Sequence, residues 1–131
     1  MVRLEIQRVF GNVPIWYSAE KGGDFLQGTL DMLILKTVLL APAHGHTIAH
    51  VIEQNSADVL QVEHGSLYPA LYRLEDQGLI ASFWGTSENN RKAKYYRITP
   101  AGRRYLHREH SRWESLVHAI RQVLGPATEK E

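Results

Sequence analysis

The stretch Gly65-Ser66-Leu67-Tyr68-Pro69-Ala70-Leu71-Tyr72-Arg73-Leu74-Glu75 decides the fold, read together with Gly78-Leu79-Ile80 and the turn-forming run Glu88-Asn89-Asn90-Arg91-Lys92-Ala93-Lys94. Leu67, Leu71 and Leu74 fall at i, i+4 and i+7, one face of a helix, and this predicts a helix from Ser66 to Gln77. Ser66 is suited to cap it, Pro69 suits its first turn, and Gly78 suits the position after its end. Tyr68, Tyr72, Arg73 and Asp76 are then directed to the flanks or to solvent. Ile80–Gly85 and Lys94–Thr99, rich in aromatic and β-branched residues, read as two strands joined by Glu88-Asn89-Asn90. Arg91, Lys92 and Lys94 leave the tip of that hairpin positive. A capped amphipathic helix followed at once by a basic-tipped hairpin is the layout of a winged helix, in which helix and hairpin both reach DNA.

Outward from this stretch, Phe25–Ala41 is a helix with Leu26, Leu30, Leu33, Ile34, Thr37 and Val38 at the 3.6-residue period. Met32, Leu35, Leu39 and Leu40 fill its other sides, so it is buried on more than one face, the second against another subunit. Gly45 and His46 form a turn before a second helix, Thr47–Asn55, and Ser56–His64 is a connector with extended character at Val59, Leu60 and Val62. The longest helix is Pro100–Leu124, with Thr99 as its cap and Pro100 in its first position. Leu106, His110, Trp113, Val117, Ile120 and Leu124 are spaced 4, 3, 4, 3, 4, a heptad seam that Leu116 and Val123 widen. Such a seam left bare would be an exposed apolar patch of the kind that marks an interface.

The chain therefore reads as mainly α with a small β-hairpin (α+β). A winged helix-turn-helix spans 25–99, a dimerisation helix 100–125 and a polar tail 126–131. Residues 1–24, which mix Val9, Phe10, Ile15, Trp16 and Tyr17 with Gly11, Pro14 and the Gly22-Gly23 pair, read as an N-terminal extension, either an ordered arm or a disordered tail.

With 131 residues, 44% apolar and 22% charged, the composition is that of a globular domain with one modest core. There is no cysteine, so disulfides, thiol chemistry and Cys-based zinc sites are excluded. No run of 18 apolar residues is present, and no basic region followed by an apolar core opens the chain, so neither a membrane span nor a secretion signal is expected. The net charge of +1 conceals an asymmetry. Residues 1–90 carry five basic and ten acidic side chains, and residues 91–131 carry ten basic and four acidic. Eight of the basic residues fall between Arg91 and Arg112, an electrostatic footprint for a polyanion.

Four segments in order resemble the PadR family of bacterial transcriptional regulators, in its short form with one C-terminal helix. They are Leu26-Gln27-Gly28-Thr29-Leu30-Asp31 with Leu33-Ile34-Leu35; His44-Gly45-His46-Thr47-Ile48-Ala49; Gly65-Ser66-Leu67-Tyr68-Pro69-Ala70-Leu71 with Arg73-Leu74-Glu75; and Glu88 through Thr99. The resemblance covers about residues 25–124. It implies a cytoplasmic bacterial homodimer, with the last helix of each subunit packed on the partner's first and last helices, acting as a repressor on a partly palindromic double-stranded operator.

On that resemblance the third helix is the recognition helix, and Ser66, Tyr68, Pro69 and Arg73 are its DNA-contacting candidates. Arg73 pairs either with guanine or phosphate, or with Glu75, Asp76 or another surface acid. Tyr68 either contacts phosphate or packs under the wing. Asn89, Asn90, Arg91, Lys92 and Lys94 form the wing, expected on phosphates, with a plain solvated turn as the alternative. Thr47 either donates to a phosphate or caps its helix. Trp113, with Val117, is the candidate for a small hydrophobic, flat aromatic effector held between subunits; the alternative is a packing anchor. The dimer candidates are Leu30, Leu33, Leu106, His110, Trp113, Leu116, Val117, Ile120 and Leu124, with His110 a candidate pH-sensitive contact. Phe83 and Trp84 are expected to pack the wing onto the body.

His46 and His50 stand at i, i+4 with His44 nearby, but no third ligand is evident, so no metal or other cofactor is expected. No nucleophile elbow, phosphate loop or zinc-protease helix is present, which argues against an enzyme. Two rivals remain: a repressor that needs no ligand, and a winged-helix protein-interaction module that does not touch DNA.

Overall fold

A computed structural model describes residues 9–10, 13–14 and 23–127. Within the N-terminal extension, β1 (Val9–Phe10) and β2 (Val13–Pro14) pair antiparallel. The arm-or-tail expectation for the rest of residues 1–22 lies outside the described residues. The helices are α1 (Gly23–Leu40), α2 (Gly45–Asn55), α3 (His64–Asp76) and α4 (Pro100–Leu124). A three-stranded antiparallel sheet, ordered β3-β5-β4, is made by β3 (Ala43–His44), β4 (Ile80–Thr86) and β5 (Lys92–Ile98). This is the α+β winged-helix arrangement that the sequence predicts, with one addition. The two-residue β3 sets Ala43 opposite Tyr96 and His44 opposite Tyr95, and is too short to leave a periodicity in the sequence.

The core sits where α1, α2, α3 and the base of the sheet meet. Ile34, Leu35, Ile48, Leu67, Leu71, Leu74 and Ile80 are essentially inaccessible, and Tyr96 and Ile98 close the core from the central strand. The face Leu67–Leu71–Leu74 is buried as its spacing predicts, with Ala70 beside it. α1 buries Leu30, Ile34, Leu35, Thr37 and Val38 and leaves Leu33, Met32 and Leu39 half-covered. Leu40 is exposed.

Several boundaries differ from the expectation for tertiary reasons. The cap of α2 is His44, not Thr47: its Nδ1 accepts the Thr47 N–H at 3.5 Å, and helix begins at Gly45. The α3 helix starts at His64, two residues before Ser66. Its cap Glu63 makes no side-chain capping bond, but the Glu63 carbonyl accepts the N–H groups of Ser66 and Leu67 at 3.0 and 2.9 Å. The entry is set from a distance, because Glu53 Oε2 on α2 accepts the Val62 N–H at 2.8 Å. Pro69 consequently falls in the second turn rather than the first. The connector opens as a turn at residues 56–58, with Ala57 and Asp58 at φ 52° and 65°, bends at Val59 and Leu60 where extended chain was expected, and is extended at Glu63.

The hairpin reaches further toward its turn than expected, since Gly85↔Ala93 and Thr86↔Lys92 are also in register. Lys92 is therefore a strand residue, and Lys94, read as the start of the second strand, lies two residues further from the tip.

Candidate nucleic-acid interface

The outward face of α3 follows from its inward one. With Leu67, Ala70, Leu71 and Leu74 in the core, Tyr68, Pro69 and Tyr72 are exposed and Ser66 is half-buried. Tyr68 is held by two close neighbours. Its ring lies over Gly45, where an added Cβ would approach the hydroxyl and ring edge to 2.8 Å, and it stands edge-on to His64 with centroids 5.6 Å apart. Tyr68 thus spans the N-termini of α2 and α3 while remaining exposed.

Glu75, near the end of α3, fastens the helix to both wing strands. Its Oε2 accepts the Ser82 hydroxyl of β4 at 2.6 Å, and its Oε1 lies 3.5 Å from Lys94 Nζ of β5. One carboxylate therefore links the helix to both strands of the hairpin, beside the core packing of α3 on Ile80, Tyr96 and Ile98.

The turn between the wing strands is closed by the Ser87 N–H donating to the Arg91 carbonyl at 2.8 Å, with Asn90 left-handed at φ 60°. Asn89, Asn90, Arg91 and Lys92 are all exposed. Trp84, 62% exposed, does not pack the wing onto the body. It projects from the hairpin and carries Lys92 Nζ 4.8 Å from its ring centre. Phe83 stacks on Tyr95 across the other face of the hairpin, at 5.6 Å and 22°. The strand alternation decides this. Ile80 and Ser82 share a face with Trp84, but the core and α3 end before the hairpin does, so Trp84 has nothing behind it.

The structure gives Arg73 an acidic partner, and it is neither Glu75 nor Asp76. Its Nη2 donates to Asp31 Oδ1 of α1 at 2.7 Å. Asp31 is mostly buried, and burial raises its pKa more than the Arg73 charge and hydrogen bond lower it. Thr47 is likewise occupied, its hydroxyl 3.2 Å from His44 Nε2.

A row of rings, unrecognised in the sequence, links these parts. Beyond the Phe83–Tyr95 stack, Tyr95 meets His44 at 5.3 Å, His44 meets His46 at 6.4 Å, His46 meets His64 at 6.4 Å, and His64 meets Tyr68. His44, its side chain only 13% exposed, also lies 3.6 Å from Glu88 Oε1 in the wing turn. The Glu88 carboxyl is held below its usual range, first by a backbone hydrogen bond and then by His44. His46 and His64 are exposed. Only β3 and the early start of α3 bring these histidines together, so no spacing rule could have found them. Among the described residues no three or more His, Cys, Asp or Glu side chains are grouped to hold a metal ion.

The second surface is a groove of about 480 Å³ between α1 and α4, lined by Met32, Leu33 and Leu39 on one side and Leu106, His110 and Trp113 on the other. Trp113, Leu116, Ile120 and Leu124 are exposed along α4, and Val117 is half-buried. His110 Nε2 lies 3.3 Å from Glu114 Oε2. Leu30 and Leu106, each 7% exposed, lie within the protomer's own core, and this leaves them little surface for a subunit seam.

Known proteins share this architecture. Residues 34–108 match the Transcriptional regulator PadR-like family. The chain is 31% identical over 97 residues to an uncharacterized protein of Lysinibacillus sphaericus, covering 74% of this chain and 89% of the relative. It is 33% identical over 102 residues to a transcriptional regulator of Mycobacterium tuberculosis, covering 78% of this chain and 89% of that one. A transcriptional regulator from Clostridium thermocellum superposes with a TM-score of 0.69 at 30% identity, over 76% of this chain and 96% of the other. A PadR family regulator from Eggerthella lenta does so with 0.67 at 30% identity, over 83% and 93%.

Proposed function

The chain belongs to the PadR-like family of transcriptional regulators, and from that premise we propose that it is a homodimeric repressor acting on double-stranded DNA in the bacterial cytoplasm. The observation that carries this reading is the joint presentation of α3 and the wing. Tyr68, Pro69 and Tyr72 stand exposed on a helix that Glu75 fastens to both hairpin strands. In this reading the N-terminal half of α3 enters a major groove, with Ser66, Tyr68 and Pro69 nearest the bases. Asn89, Asn90, Arg91 and Lys92 take backbone phosphates. Lys94 and Thr47 serve more to orient the wing and α2, given their bonds to Glu75 and His44. Arg73 is a positioning residue, because its guanidinium is committed to Asp31. Two such units in a dimer would address half-sites about 34 Å apart on a partly palindromic operator.

The groove between α1 and α4 supports two further elements of the proposal. The exposed run Trp113, Leu116, Ile120 and Leu124, with the half-buried Leu33 and Val117, is the dimer surface, and it continues past His110 into the groove. Trp113 at the groove's rim is suited to stack a small flat hydrophobic effector, whose binding would shift the spacing of the two α3 helices and release the operator.

Selection of bound duplexes from a random pool at two salt concentrations tests the DNA-binding reading. A two-fold symmetric motif is expected, with affinity falling steeply as salt rises. Arg91→Ala with Lys92→Ala should weaken binding about equally on all sequences, and each cation removed from a phosphate should flatten the log–log salt slope by about 0.9. A failure to bind any duplex would move the assignment to a protein-interaction module.

A further inference from the structure

We propose that His46 and His64 form a phosphate-contacting element of the DNA face, outside the wing, and that it couples operator binding to proton uptake. This rests on the DNA-binding reading above.

The need for such an element follows from charge. Between residues 23 and 99 the chain carries eight acidic side chains, six basic ones and four histidines, so with neutral histidines the winged-helix domain is net negative. Two of the six cations are already engaged, Arg73 with Asp31 and Lys94 with Glu75. Lys92 lies over Trp84. A domain of this balance approaches a polyanion against its own field. Protonation of the four histidines would reverse the sign of the domain.

Geometry selects two of the four. His46 is in the first turn of α2, His64 is the first residue of α3, and both are exposed with ring centroids 6.4 Å apart. His64 stands edge-on to Tyr68, whose hydroxyl lies over Gly45, the residue before His46. Two imidazolium rings at this spacing repel one another, and an anionic phosphate oxygen set against both removes the repulsion and accepts hydrogen bonds from both. Phosphate binding and protonation therefore favour each other. Because the complex holds more protons than the free protein, affinity rises as pH falls.

Other titratable groups border the pair. Glu88 from the wing turn is directed to His44, which lies between it and His46. Glu63 is the cap residue beside His64, Tyr95 of β5 meets His44, and His50 is one turn along α2. Glu88, whose carboxyl is held below its usual range, adds no titration of its own near neutral pH.

The test is fluorescence anisotropy of a labelled duplex carrying the selected operator, at pH 6.0, 7.0 and 8.0 and constant ionic strength. A rise of one pKa unit in one histidine on binding corresponds to about a tenfold change in affinity, and the wild type is expected to lose roughly that factor or more from pH 6 to 8. His46→Gln with His64→Gln should flatten the profile while the dependence on salt through the wing persists. His46→Arg with His64→Arg should also be flat, but with tighter binding at pH 8 than the glutamine pair. An undiminished pH dependence in the glutamine pair, or a flat profile in a wild type that binds its operator, overturns the inference and leaves the wing assignment standing. Absence of binding at every pH overturns the DNA reading and this inference with it.

Discussion

The pair Asp31–Arg73 illustrates how a side chain's role depends on what surrounds it. At 2.7 Å the contact looks like a strong stabilising bridge, yet Asp31 is mostly buried and its pKa is raised because loss of hydration outweighs the arginine. A carboxyl whose pKa is raised on folding binds its proton more tightly in the native state, so its ionisation makes folding less favourable as pH rises. Chemical denaturation of the wild type and Asp31→Asn at pH 3 to 6 should show this. The stability of the wild type relative to the variant is expected to fall as pH rises through the carboxylate range, and a constant or rising difference would contradict the direction of the shift. At the same scale, the exposure of Tyr68 and Tyr72 was legible from sequence because a helix face is periodic. The candidacy of Ser66, Tyr68 and Pro69 for DNA contact came instead from the resemblance to the PadR family. The occupation of Arg73 was not legible, because Asp31 is 42 positions away in the chain and its partner is chosen by the packing of α1 on α3.

At the scale of elements, the strongest local constraints lie where β5 turns into α4. The Thr99 hydroxyl donates to the Gly78 carbonyl at 2.7 Å and accepts the Gly102 N–H at 3.0 Å, so one side chain caps α4 and ties it to the end of the α3–β4 link. Gly102 lies against the Leu79 backbone. An added Cβ would fall on the Leu79 carbonyl oxygen and approach Ile98 Cγ1 to 2.8 Å, and neither can swing aside as the end of a flexible side chain would. Gly102→Ala is therefore expected to destabilise the domain by about 2 to 3 kcal/mol, despite alanine's better helix propensity, read as a lower denaturation midpoint. An unchanged midpoint would mean that the first turn of α4 can move off the sheet. The Thr99 cap and the Pro100 start were evident from sequence, as was the end near Gly125, because capping is local chemistry. The early starts of α2 and α3 were not evident, because His44 and Glu53 act there through contacts that only the assembled domain provides.

On the scale of the whole molecule, the basic run Arg91–Arg112 does not form one patch. Its first part lies on the wing and its second on α4, at opposite ends of a seven-residue strand that spans roughly 20 Å. The α3–wing face and the α4 seam are accordingly separate surfaces, as the proposed DNA and subunit contacts require. Ile120→Glu should convert a dimer into a monomer in sedimentation equilibrium and weaken operator binding without lowering the helix content of the protomer, since Ile120 is 46% exposed and outside its core. A dimer of unchanged stability would remove α4 from the interface. No helix among the described residues is long and apolar enough to cross a membrane. The amino-acid sequence by itself determined the four helices, the hairpin, the buried leucine face of α3 and the apolar seam of α4, because periodicity, caps and turn formers act over a few residues. Only the tertiary structure decided that Arg73 is held by Asp31, that Glu75 links α3 to both wing strands, that Trp84 stands free, and that His44, His46 and His64 form a row. Each of these depends on residues far apart in the chain meeting in space, and pair formation across elements leaves no pattern along a single strand or helix.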